Sequence, residues 1–326
     1  MSKTSRVLVV LVAFLLGIGL LAGCGGSDSP SASEEPSGES VTITHKFGET
    51  TVPADPERVV TVGWSDQDFV LALGVVPVGT RSWFENYNDF PWVKEATDGK
   101  GVPVIEGDTI NFEAIAKAEP DVIFAIYETI DEKTYDQLSQ IAPTVIQSDE
   151  YPDEETPWDV QLLTTGEALG KKQQAQGLVD EVNAGIDAAK RAHPEFAGKT
   201  LVADFSSEPD APYLIGAGDP RRTLFDALGF AAQETVGDVS QERLSLLEGD
   251  LLFVNGVTKQ QLAESPAFQR LNVVREDRTL YAGSDSTLSG ALTYSGPNAL
   301  LYALDVLTPQ LSNALQGRPV ADLSNS

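Results

Sequence analysis

The chain has 326 residues, enough for two domains, and hydrophobic residues make up 41% of it, enough to fill real cores. Its formal charge of −27 argues against nucleic acid or an anionic lipid surface as a direct partner. Small anions are not excluded, because local arginines can override the mean field. Cys24 is the only cysteine, so no intramolecular disulfide can form and packing must hold the fold.

Lys3 and Arg6 precede an apolar run over 7–21 that is too short to span a bilayer comfortably. Leu21-Ala22-Gly23-Cys24 follows and resembles the lipobox of bacterial lipoproteins, where cleavage before the cysteine exposes it to lipidation. The resemblance implies a signal peptide over 1–23 and a membrane anchor through a lipid on Cys24. The competing reading is an ordinary secretory signal with an incidental cysteine. Residues 24–40 are rich in Gly, Ser, Pro and Glu without apolar periodicity, and read as a disordered tether.

Globular patterning begins at Val41, with a strand over 41–43. A β-branched run over 58–62, stopped by Gly63, reads as a buried strand. A helix over 66–73 ends at Gly74, and strands follow at 77–80 and 102–105. Next come a helix over 112–118, a buried strand over 121–126, a helix over 135–141 and a strand over 143–146. Strands alternating with helices imply a parallel sheet. A helix opening near Pro157 has Gly170 at its end. Then a proline-free stretch over 172–193 carries Leu178, Val182, Ile186 and Ala189 on one face, and Pro194 closes it. At 1.5 Å per residue this helix spans roughly 33 Å, about the width of a small domain.

The plan repeats after Gly198. Strands are expected at 200–205, 213–215, 250–254 and 279–282, and helices at 223–228, 241–247 and 297–307, the last stopped by Pro309. The expected architecture is α/β: two Rossmann-like lobes, 41–170 and 198–326, joined by a single long backbone helix over 171–197. Function would sit in the cleft between them.

In open α/β sheets ligands sit beyond the carboxyl ends of the strands. There the first lobe places Trp64, Arg81, Trp83 and Tyr127, and the second Phe205, Tyr213, Asn255 and the pair Arg221-Arg222. Aromatic walls with a few arginines suit a bulky, flat, partly anionic ligand, with Arg81 and Arg221-Arg222 clamping it from opposite lobes. Trp158 and Tyr294 read as packing residues. His45 and His193 are the only histidines and read as structural or solvated, so direct metal binding is disfavoured. Gly63-Trp64-Ser65-Asp66-Gln67 resembles a nucleophile elbow around Ser65, but Gln67 stands where the last glycine belongs and no histidine is placed as base. Gly216-Ala217-Gly218 lacks the third glycine of a dinucleotide fingerprint.

Asp55-Pro56-Glu57-Arg58-Val59-Val60 with Ala72-Leu73-Gly74-Val75-Val76-Pro77, and Asn111-Phe112-Glu113-Ala114 with Glu119-Pro120-Asp121-Val122-Ile123, resemble one family. So do Ser240-Gln241-Glu242-Arg243-Leu244, Asp250-Leu251-Leu252-Phe253-Val254 and Arg278-Thr279-Leu280-Tyr281. It is that of the substrate-binding proteins of ABC importers for ferric siderophores, haem and cobalamin, and the likeness spans roughly 58–307. The resemblance implies a non-enzymatic, monomeric, membrane-anchored receptor that passes a ferric siderophore to ABC permease subunits, with Glu113 and Glu242 docking on them. A haem or cobalamin receptor of the same fold, and a lipoprotein hydrolase on Ser65, are the alternatives.

Overall fold

The computed structural model describes residues 39–81, 84–107, 109–324 and 326. The leader, Cys24, nearly all of the tether and Trp83 lie outside these residues. In chain order the described elements open with the hairpin β1 (Val41–His45) and β2 (Gly48–Val52), then β3 (Val59–Thr61), α1 (Asp66–Ala72), β4 (Gly79–Thr80), α2 (Pro91–Ala96) and α3 (Phe112–Lys117). β5 (Val122–Ala125), α4 (Glu132–Ser139), β6 (Thr144–Ile146), α5 (Trp158–Ala168) and α6 (Lys172–Ala192) follow. Then come β7 (Thr200–Phe205), β8 (Tyr213–Leu214), α7 (Thr223–Ala227), β9 (Ala231–Ala232), β10 (Gly237–Asp238) and β11 (Leu251–Gly256). The chain closes with α8 (Lys259–Leu262), α9 (Asn272–Arg275), β12 (Thr279–Gly283), α10 (Thr287–Tyr294) and α11 (Pro297–Leu315).

Two α/β lobes result. The first is built on the sheet β4-β3-β5-β6, parallel throughout. The second is built on β9-β7-β11-β12, also parallel, so both lobes order their four parallel strands 2-1-3-4 by rank in the chain. The second sheet departs from the all-parallel expectation by an antiparallel insertion, β8 on β7 and β10 on β8. That insertion supplies much of one cleft wall.

Period-two alternation along the strands divides the core. Val60, Ile123 and Ile146 face one apolar cluster, and Val202, Leu252 and Val254 another. The opposite faces, Val59, Phe124 and Val145 in one sheet and Leu201, Phe253 and Leu280 in the other, belong to a single core that runs through both lobes. α6 buries Ala175, Val179, Val182 and Ile186 on it; Leu178 and Ala189 of the expected stripe pack at its edge, half-buried. Gly170, in the left-handed region at φ 68°, ends the preceding helix as glycine readily does.

The lobes also meet through the C-terminal helices. Tyr87 and Phe90 pack on Tyr294 of α10, with ring centroids 4.9 and 6.2 Å apart, and Trp92 packs on Tyr302 of α11 at 5.5 Å. Gly290 sits against the ring of Phe90 so closely that any Cβ there would collide with it. Trp158 and Tyr294 are buried.

Two helix expectations are corrected. α11 does not stop at Pro309 but runs through it to Leu315, because Leu307, Thr308, Leu311 and Ser312 all face the core and the Thr308 hydroxyl donates to the Leu304 carbonyl beside the break, 2.6 Å away. The segment Gln241–Leu247 is 3-10 rather than α, with non-helical backbone at Arg243. Among the described residues no helix is long and apolar enough to cross a membrane.

Candidate functional site: a cleft between the lobes

The loop after β3 presents Trp64 and the loop after β5 presents Tyr127. Asp66, at the start of α1, fastens these loops together. Its buried carboxylate accepts backbone N–H bonds from Gly63 (3.1 Å), Ile126 (3.1 Å) and Tyr127 (3.2 Å), while the Trp64 N–H donates to the Tyr127 carbonyl at 2.9 Å. Gly63 must be glycine, since a Cβ would overlap the Asp66 carboxylate. Burial raises the Asp66 pKa to about 6, against the pull of the three N–H donors. The Gly-Trp-Ser-Asp motif is therefore a loop clamp. Ser65 is buried and donates to Gln161 at 3.2 Å. The hydrolase alternative is corrected, because the two histidines are held elsewhere. His45 is buried in β1, 2.9 Å from Thr50, and His193 lies 3.1 Å from Glu195.

On the second lobe Tyr213 N–H donates to Asp204 at 2.9 Å, which fixes the antiparallel insertion to β7. The loop beyond β8 turns at Asp219, whose carboxylate takes the backbone N–H of Arg221 (3.0 Å) and two guanidinium bonds from its side chain (2.9 and 2.7 Å). The guanidinium lies over the Phe205 ring, 5.5 Å from its centroid.

These walls enclose a cleft of about 750 Å³, lined from the first lobe by Trp64, Tyr127 and Glu154 and from the second by Tyr213, Arg221 and Val236, among others. Trp64 is 36% and Tyr213 41% exposed, high for large rings and in keeping with a surface that awaits an apolar ligand. Burial raises the Tyr127 hydroxyl well above its ordinary pKa, with Asp219, Glu154 and Glu155 adding to the rise and Arg221 opposing it.

Of the residues expected at the cleft, Trp64, Tyr127, Tyr213 and Arg221 line it together. Phe205 lies beneath Arg221, outside the lining. The opposed arginine clamp is corrected. Arg81 is buried, paired to Glu128 at 2.8 Å and donating to the Val62 carbonyl at 3.0 Å, and it does not line the cleft. Arg222 is fully buried, bonded to Asp226 at 2.6 Å and to the Ala231 carbonyl at 3.1 Å. It points into the packing beneath the loop that its neighbour Arg221 decorates. Sequence reasoning missed the antiparallel insertion's Val236 and the acids of the 153–155 loop. Asn255, at the end of β11, is buried and does not line the cleft. Among the described residues no group of His, Cys, Asp and Glu side chains could hold a metal ion.

Two further carboxylates are buried near these loops. Asp68 of α1 accepts bonds from Tyr87 Oη (2.6 Å) and Trp92 Nε1 (3.1 Å), and burial raises its pKa to about 7. Asp204 is raised to about 7 by the same cause. The folded protein thus retains protons that the unfolded chain has already released. Stability from these groups is full near pH 4 and is lost as the pH rises towards 7. The unfolding free energy is expected to fall between pH 5 and pH 8, by on the order of a few kcal/mol in all, and the denaturant midpoint with it. Asp68→Asn should flatten part of that fall; a midpoint that is level or rises over this range contradicts the assignment.

Two lobes of one plan, with an aromatic cleft between them, define a solute-binding receptor. The chain belongs to the periplasmic binding protein family, whose model matches residues 59–285. It is 29% identical over 262 residues to the probable siderophore-binding lipoprotein YfiY of Bacillus subtilis, covering 75% of this chain and 77% of that protein. A periplasmic solute binding protein from Mycobacterium smegmatis superposes with a TM-score of 0.78 at 29% identity, over 85% of this chain and 99% of the other. PiaA of Streptococcus pneumoniae, solved in complex with ferrichrome, gives 0.71 at 25% identity, over 86% and 100%. Membership places the chain among solute-binding proteins rather than enzymes.

Proposed function

We propose that the protein captures a ferric siderophore in the interlobe cleft and delivers it to the permease of an ABC importer, as a monomer held at the extracytoplasmic membrane face by a lipid on Cys24. The observation that carries this reading is the cleft itself. Its volume of about 750 Å³ suits an iron chelate rather than a bare ion, and its walls offer rings from both lobes instead of converging metal ligands. The names of the relatives support it: a siderophore-binding lipoprotein and a receptor bound to ferrichrome. Iron comes as cargo within the chelate. The lipobox-like Leu21-Ala22-Gly23-Cys24 supports the anchor, and Cys24→Ser should move the protein from the membrane fraction to the soluble one.

The test is titration of the purified protein against ferric hydroxamates, ferric catecholates, ferric citrate, haem and cobalamin. Trp64 on the cleft wall makes tryptophan fluorescence the readout. Saturable quenching by at least one ferric chelate is expected. Binding of haem or cobalamin with no response to any ferric chelate would overturn the reading.

A further inference from the structure

Granting that the cleft takes a ferric chelate, its charge pattern limits which kind. Among the described residues the lining carries four carboxylates, Asp153, Glu154, Glu155 and Asp219, against one guanidinium, that of Arg221. The guanidinium's charge is already matched by a carboxylate. Two of its nitrogens chelate Asp219 at 2.9 and 2.7 Å, and its face rests on Phe205. Asp153 is matched by Lys46 at 2.6 Å from outside the lining. Glu154 receives only the neutral hydroxyl of Thr129, 2.9 Å away, and Glu155 forms no ion pair among the described residues. With Arg81 held by Glu128 and Arg222 by Asp226, no cation among the described lining residues lacks a carboxylate partner.

We infer that the cleft selects ferric chelates of zero or positive net charge, with Glu154 and Glu155 receiving a cationic group of the ligand, and that it discriminates against polyanionic ferric complexes. An anionic chelate would bring like charge against two carboxylates that no described cation compensates, Glu154 half-buried and Glu155 exposed. A pendant ammonium would meet those carboxylates and the faces of Trp64 and Tyr213. The molecule's net charge of −27 adds a long-range field of the same sign, which slows approach of anions and speeds that of cations.

The experiment uses one iron core in three charge states: a linear ferric trihydroxamate bearing a free terminal amine, its N-acetyl form and its N-succinyl form, which carry one positive, no and one negative charge. A ferric tris-catecholate supplies a trianion. Affinities are expected to fall from amine to acetyl to succinyl, about tenfold across the series, with the catecholate weakest of all. High salt should compress the order. Glu154→Gln with Glu155→Gln should flatten it, bringing the amine and succinyl forms to within about twofold of each other. A flat or reversed series, or one that the double variant leaves unchanged, overturns the charge rule alone. Failure of all four chelates to bind overturns the siderophore reading and takes this inference with it.

Discussion

Arg222→Ala is expected to destabilise the fold by about 3 kcal/mol and to leave ligand affinity per folded molecule unchanged. The side chain is fully buried, and its truncation would open a cavity beneath the 216–221 loop. It would also remove the guanidinium bonds to the Asp226 carboxylate, which among the described residues keeps only the Gly218 N–H, and to the Ala231 carbonyl. Burial lowers the guanidinium's pKa while Asp226 holds it charged, so the pair stands or falls together. Arg222→Met, which restores volume without charge, should recover part of the loss. The readouts are denaturant midpoint and chelate titration on the same preparations. Unchanged stability with lost affinity would move Arg222 into the cleft and refute its placement. Arg221→Ala offers the contrast, since its half-buried side chain lies on the cleft wall and its removal should touch stability little.

Glu113→Ala combined with Glu242→Ala is expected to cut uptake by about tenfold or more while fold and ligand binding remain as in the wild type. Both glutamates are exposed, one on each lobe. Glu113 stands in the first turn of α3, behind the Asn111 cap whose side chain accepts the Ala114 N–H at 3.0 Å. An acid there complements the helix dipole. Glu242 lacks that account, because its segment is a kinked 3-10 turn with little dipole to complement. The family resemblance pairs acids at these two places with basic pockets on two permease subunits. Paired contacts would also fix the receptor's orientation over the channel. Uptake by cells expressing the double variant at normal levels decides the matter; wild-type transport would reduce both to ordinary surface charges.

Much of this architecture could be read before any coordinates. Buried strands announce themselves as β-branched runs closed by glycine, as at Gly63, and helices by a repeating stripe such as Val182 and Ile186. What escaped is what local pattern does not encode. The strand expected at 213–215 is there as β8, but its antiparallel pairing and the two-residue β10 beside it, too short to show a period, were not legible, yet they build much of the cleft wall. Pro309 obeys its usual rule in isolation, and tertiary packing overrides it. Asp66 looks like an ordinary first-turn acid, because the N–H groups of Ile126 and Tyr127 that it gathers lie some sixty residues further along. Arg221 and Arg222 are adjacent and chemically identical. Only the path of the 3-10 turn through Pro220–Arg222 sends one to the cleft and the other inward. The pairing of Arg221 with Asp219 was equally invisible, since it depends on the turn that brings the two side chains together.

The aromatic seam where Phe90 and Tyr87 meet Tyr294, and Trp92 meets Tyr302, bears on how cargo leaves. A molecule stitched there is expected to act as a cup rather than a jaw, its posture scarcely differing between full and empty. Prying it open would bare those rings to water, at roughly 1.5–3 kcal/mol for each large side chain. Summed over these rings that is more than thermal motion commonly supplies, so on the proposed reading a permease gripping both lobes at once would do the mechanical work of unloading.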